Sequence, residues 1–227
     1  MRPTSRITTC CLAAALLLTA AGCASSSTGP STSAASGPPV IIDGSSQSSP
    51  FNGILLSKPF VKPAFTLTDS EGRPYDFTQQ TKGKLTLVYF GYTHCPDVCP
   101  TTMADLAAAL RALPAAESAK ISVVFVSTDP TRDTPAVLHT WLAQFDPAFI
   151  GLTGSFATIQ QAGKALGIPI FPPTKGADGT YTVTHGAEVL AFNTDNEAHV
   201  VYTAGTTVGQ YDHDLPLLLA GEDMQGS

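Results

Sequence analysis

Two short runs in which nearly every residue is apolar, Leu85-Thr86-Leu87-Val88-Tyr89-Phe90 and Ile121-Ser122-Val123-Val124-Phe125-Val126-Ser127, constrain this chain more than any other feature. Neither alternates polar with apolar, so neither reads as a strand with one face in water; each predicts a short strand covered on both faces. Covering both faces of a sheet requires helices, and the segments between supply them. Met103, Leu106, Leu110 and Leu113 are spaced for one helical face. Thr134-Pro135 places a capping residue ahead of a helix whose apolar stripe is Val137, Leu138, Trp141, Leu142 and Phe145.

The other elements follow the same logic. Phe65 to Phe77, with a turn at Asp69-Ser70-Glu71-Gly72, predicts an N-terminal β-hairpin. A strand at Phe149–Leu152 and a helix from Ser155 to Leu166 come next. Strands from Glu188 to Asn193 and His199 to Thr203, joined by a turn at Thr194-Asp195-Asn196, precede a last helix from Thr206 to Leu219 that Pro216 is expected to bend. Alternating strands and helices closed by a hairpin and a helix imply an α/β fold, thioredoxin-like, with a mixed central sheet and helices on both faces.

The first fifty residues belong to a different regime. Arg2 and Arg6 precede the apolar run 10–18, which ends in Thr19-Ala20-Ala21-Gly22-Cys23. A basic start, a short apolar stretch and small residues before a cut read as a secretory signal over 1–23, too short to span a bilayer. Small residues leading directly to Cys23 resemble a bacterial lipobox, with Ala20 where Leu is usual, so Cys23 is the expected lipidation site. Residues 24–39 are all Ala, Ser, Thr, Gly or Pro, and 24–50 is expected to act as a flexible tether to a domain spanning 51–227. Cleavage at Cys23 would remove two basic residues, leaving ten against eighteen acidic ones and a net charge of -8. The basic residues are scattered singly, which argues against nucleic acid as a partner.

With Cys10 and Cys11 in the signal and Cys23 at its end, Cys95 and Cys99 are the two thiols left to the domain. They sit in Gly91-Tyr92-Thr93-His94-Cys95-Pro96-Asp97-Val98-Cys99-Pro100, between a buried strand and a helix start, where free N–H groups favour thiolate. Pro100 suits the first helical position. Converging thiolates could form a structural disulfide, cycle as a redox couple, or hold a soft metal. Three intervening residues rather than two depart from catalytic thioredoxin-like dithiols. Asp97 has two readings, a hydrogen bond to loop N–H groups or exposure to solvent.

Five histidines are candidates for a third ligand. His139 is expected on the solvated side of its helix, His199 and His213 at the surface, and His94 as a flank that points away from Cys95. His185, in Thr184-His185-Gly186-Ala187 just before the closing hairpin, falls at a junction that packs beside the dithiol loop in this fold, although on sequence alone a lone His there reads more often as a structural residue than as a ligand. Asp129-Pro130 and Arg132-Asp133 follow the second core strand on the same sheet edge as the dithiol. They read as turn and N-cap chemistry, with contact between Arg132 and a partner's acidic surface as the other possibility.

The decapeptide from Gly91 to Pro100 resembles the signature of the Sco/SenC family of copper-binding proteins. The likeness continues through Phe65–Phe77, Val126–Thr134, Gly151–Gly154 and Thr184-His185, over about residues 50–220. Thr101-Thr102, where acidic residues are common, and Glu188, where the hairpin is often apolar, depart from the pattern. The resemblance implies a membrane-tethered copper chaperone on the outer face of the cytoplasmic membrane. Its metal ligands would be Cys95, Cys99 and His185, binding Cu(I) or Cu(II). The implied recipient is the copper-binding subunit of cytochrome c oxidase. Other copper chaperones or thioredoxin-like reductases are further implied partners. Two thiolates suit Cu(I), and an added imidazole makes Cu(II) tolerable. The rival reading is an enzyme, a thiol-disulfide reductase that uses Cys95 and Cys99 without metal to keep a partner's cysteines reduced. Zinc is also compatible with two Cys and a His, so copper rests on the resemblance. A peroxide-reducing domain is disfavoured because no conventional peroxidatic motif is present.

Overall fold

A computed structural model describes residues 49–221, so the signal, Cys23 and most of the tether lie outside the described residues. The elements run β1 (Ile54–Val61), β2 (Thr66–Asp69), β3 (Pro74–Asp76), α1 (Phe77–Gln80), β4 (Leu85–Gly91), α2 (Val98–Ala112), α3 (Ala115–Ser118) and β5 (Ile121–Ser127). They continue with α4 (Pro135–Leu142), β6 (Ile150–Thr153), α5 (Phe156–Ala165), β7 (Thr174–Lys175), β8 (Tyr181–Thr182), β9 (Val189–Phe192), β10 (Glu197–Tyr202) and α6 (Val208–Ala220). Eight strands form one sheet in the order β1-β10-β9-β4-β5-β6-β2-β3. β4, β5 and β6 are parallel, and the strands outside them are antiparallel to their neighbours. The mixed sheet with helices on both faces is the expected thioredoxin-like fold.

The two apolar runs lie side by side at the centre, pairing Leu85 with Ile121 through Gly91 with Ser127. Leu85, Leu87, Tyr89, Val123 and Phe125 join one core with α2, α4 and α6, while Val88, Phe90, Val124 and Val126 join a second core with α5. All seven residues of each strand are buried, which is why neither run alternates. Thr134 caps α4 through Val137 N–H, and Ser155 caps α5 through Thr158 N–H. Pro216 lies within α6.

Three features differ from expectation. α2 begins at Val98, so Pro100 is the third helical residue; its missing N–H still has no intrahelical partner to lose. β1, an edge strand that tolerates Pro59 through a register shift between Leu55 and Phe60, begins where only an apolar cluster was legible. The small exposed hairpin β7–β8 has no counterpart in the hydrophobic pattern.

Candidate metal centre

β4 ends at Gly91, and the chain passes through Tyr92–Asp97 before α2 begins. A Cβ on Gly91 would lie 2.6 Å from the Tyr89 ring and 3.0 Å from both Cys99 Sγ and the Phe125 ring, so only glycine lets the strand end approach the thiol this closely. Asp97 occupies the N-cap position, but its side chain is exposed and makes no capping hydrogen bond. Of its two readings, solvent exposure holds. A sulfur does the capping instead, with Cys99 N–H donating to Cys95 Sγ at 3.5 Å.

The two thiols differ in acidity. Burial alone would raise the Cys95 thiol, but the N–H groups of Asp97, Cys99 and Val98, with the Cys99 side chain, outweigh it and hold its pKa low. Cys99 is fully buried, and burial pushes its thiol up to about 12 even though the Tyr89 hydroxyl donates to Sγ at 3.4 Å. Both are free thiols.

His185 approaches Cys99 from the segment before β9, the antiparallel neighbour of β4. An isolated antiparallel bridge pairs Ile170 with His185, and Phe171 N–H donates to the Thr184 carbonyl at 3.3 Å. The chain between, including β7 and β8, is thus an arm with His185 at its base. His185 Nε2 lies 3.7 Å from Cys99 Sγ, and Nδ1 lies 2.5 Å from the Gly186 carbonyl oxygen. A carbonyl only accepts, so Nδ1 is the donor there, and in the neutral ring this leaves Nε2 as the acceptor that faces the sulfur. The rings of Tyr89 and Tyr92 stand edge-to-face against the imidazole at 6.2 and 5.5 Å. The Cys99 sulfur and the His185 imidazole nitrogen in contact with it, together with Cys95 at the start of the same helix, are donors of the kind that a soft or borderline metal ion takes.

The support beneath the loop is a buried carboxylate. Asp133, expected as turn or cap chemistry, accepts from Thr93 N–H at 3.0 Å, Thr93 Oγ1 at 2.6 Å and Ser127 Oγ at 2.7 Å, tying the cysteine loop to the end of β5. Arg132 pairs with buried Asp129 beside it. Glu188 lies beside Gly186 with Oε2 buried and without a donor.

The remaining histidines separate cleanly from the centre. His94, His139 and His213 are exposed, as expected. His199 is not at the surface: a register shift between Ala198 and Val200 turns it inward, where Nε2 meets Asp195 at 2.9 Å and Glu197 at 3.7 Å. This cluster follows the C-terminal end of β9, whereas His185 precedes its start.

A profile of the SCO1/SenC family matches residues 55–219. The chain belongs to that family. Over 171 residues it is 33% identical to a Stutzerimonas stutzeri protein named as a candidate copper-binding protein, covering 75% of this chain and 83% of that one. It is 44% identical over 115 residues to the mitochondrial protein SCO2 of Saccharomyces cerevisiae, where the match spans 50% of this chain and 36% of the yeast protein. The copper-bound structure of Bradyrhizobium japonicum ScoI is similar at 34% identity and a TM-score of 0.62, covering 70% of this chain and 99% of that one. The extent of the SCO1/SenC match, from β1 into α6, takes in both cysteines and His185.

Proposed function

We propose that this SCO1/SenC protein is a membrane-tethered, extracytoplasmic copper chaperone that holds one copper ion through Cys95, Cys99 and His185. It passes the ion to a copper-binding subunit of cytochrome c oxidase. The observation that carries the reading is Nε2 of His185 at 3.7 Å from Cys99 Sγ, with Nδ1 turned to the Gly186 carbonyl. The copper-bound structures of relatives support copper as the cargo. The tether anchored at Cys23 would give the domain reach from the membrane, and the acidic charge would keep it off anionic lipid. Release proceeds by ligand exchange, incoming donors replacing the three residues one at a time. His185 is the first to yield, because its arm is the exposed part of the site.

Anaerobic copper titration of the reduced protein, repeated on His185→Ala, tests this. One equivalent of copper, a sulfur-to-Cu(II) charge-transfer band and a large loss of Cu(II) affinity in the variant are expected. Equal binding of both copper states by parent and variant would sink the three-ligand site. The difference between a low-pKa, half-exposed Cys95 and a buried, high-pKa Cys99 favours a second reading, reduction of a partner's disulfide with Cys95 as the attacking thiol. Turnover on a disulfide substrate that ignores both chelators and His185→Ala would support that reading instead.

A further inference from the structure

His185 is brought to the dithiol by an arm that has little else to hold it. Residues 174–182 are exposed throughout, and β7 and β8 pair only with each other. Among the described residues, one hydrogen bond ties residues 171–184 to another part of the fold: Tyr181 O–H donates to Asp129 Oδ1 at 2.9 Å. Asp129 is fully buried, and its other oxygen pairs with Arg132 Nε. The Arg132 guanidinium lies 3.9 Å from the centre of the Tyr181 ring on the arm and 6.0 Å from that of Tyr92 on the cysteine loop. One arginine, fixed by a buried carboxylate, therefore contacts an aromatic ring from each of the two segments that supply the metal ligands.

We propose that Asp129, Arg132 and Tyr181 form a clasp that holds the arm against the cysteine loop, and that Tyr181 is the residue that positions His185 over Cys99. The inference rests on the copper-site reading above and deepens it. With the clasp closed, the site offers two sulfurs and an imidazole, a set that accommodates Cu(II). With it open, only the dithiol remains, a set suited to Cu(I). The clasp thus biases the site between oxidation states without contacting the metal.

The test compares Tyr181→Phe, which keeps the ring and removes the donor, and Tyr181→Ala, which removes both, with His185→Ala and the His185→Ala/Tyr181→Ala double variant, all in the full chain. Tyr181→Ala is expected to lower Cu(II) affinity about tenfold or more, as loss of a ligand-orienting residue does, and Tyr181→Phe to do so by less. Cu(I) affinity should change by less than about threefold, since the thiolates are untouched. In the double variant, Tyr181→Ala should cost nothing beyond His185→Ala, because it acts through the imidazole. In the metal-free protein, the ¹⁵N shifts of His185 should move toward rapid tautomer averaging in Tyr181→Ala, while amide shifts of β4 and β5 stay in place.

An unchanged imidazole spectrum in metal-free Tyr181→Ala would overturn the clasp, as would full additivity in the double variant. If His185→Ala loses Cu(II) and Tyr181→Ala does not, the clasp fails and the copper site stands. If His185→Ala loses nothing, the copper site fails, and the metal-free spectra alone decide whether Tyr181 positions the imidazole.

Discussion

The cysteine loop and the His185 arm meet at one point but are held in unlike ways. The loop is embedded: Cys99 is fully buried, Gly91 admits no side chain beside it, Asp133 accepts three hydrogen bonds beneath it, and Tyr89 donates to its sulfur. The arm is a two-residue-by-two-residue hairpin in solvent. A site built from one fixed half and one loosely held half can grip an ion by its sulfurs while leaving the third ligand free to exchange. That is the property a delivery protein needs, because a rigid three-ligand cage would bind well and release slowly.

The largest effect should come from the fixed half. Cys99→Ser is expected to lower Cu(I) affinity by on the order of a thousandfold or more, whereas His185→Ala lowers it by less than about tenfold, because thiolates dominate the binding of a soft ion. Competition with a chromophoric Cu(I) chelator reads both values. If the two variants weaken Cu(I) binding alike, the division into a gripping half and an exchanging half is wrong.

Glycine substitutions probe the same contrast without removing a ligand. Gly91→Ala forces a methyl group against Cys99 Sγ and two aromatic rings, and overpacking of this kind costs about 1–3 kcal/mol. Gly179, at the tip of the arm with φ 86° and open space around it, should cost about 1–2 kcal/mol when changed to Ala, from backbone strain alone. Urea unfolding gives both numbers. The alanine at position 91 should also change the alkylation rate of Cys99, and the one at 179 should not.

The embedded half was also the half legible in the sequence. Runs buried on both faces announce β4 and β5, and the spacing of Cys95 and Cys99 at the entrance to a helix announces the thiols. His185 is a candidate through its place in the fold's order and the family resemblance, not through any local pattern. The elements without a local signature depend on long-range contact. β1 mixes Ser57, Lys58 and Pro59 with apolar residues and becomes a strand only because β10 pairs with it. β7 and β8 are polar and short, with no periodicity to read. Asp133 looks like a helix cap in sequence, yet its partner Thr93 is forty positions away. His199 sits between Ala198 and Val200 in β10, and the register shift that buries it has no local signature.

Asp133→Asn tests how much of the loop's rigidity rests on that distant contact. An amide nitrogen cannot accept, so at least one of the donors Thr93 N–H, Thr93 Oγ1 or Ser127 Oγ is left without its partner. A loss of about 1–3 kcal/mol is expected from the stranded donor. The loop should gain mobility, seen as faster exchange of the Thr93 amide, while amides of the arm stay as they are. Unchanged protection of Thr93 would mean that Gly91 and the helix start fix the loop on their own.

The smallest effect concerns a third segment, the entry strap at Asn52–Gly53, which precedes β1. It is held like the loop, by a buried carboxylate. Asp214 accepts from Asn52 N–H and Nδ2 at 3.0 Å each, from Gly53 N–H at 2.9 Å, and from His213 Nδ1 at 2.8 Å. Burial would raise this carboxyl, but the donors outweigh it and its pKa lies below the ordinary value. A group whose pKa falls on folding contributes stability above its unfolded value of about 3.9 and loses that contribution as pH falls through the folded one. The stability gap between the parent and Asp214→Asn should therefore be constant above about pH 5 and close on further acidification. Urea midpoints measured between neutral and strongly acidic pH follow it. A gap that persists in acid would mean that the strap is held by packing of Phe51 and β1 rather than by charge, making it more like the arm than the loop.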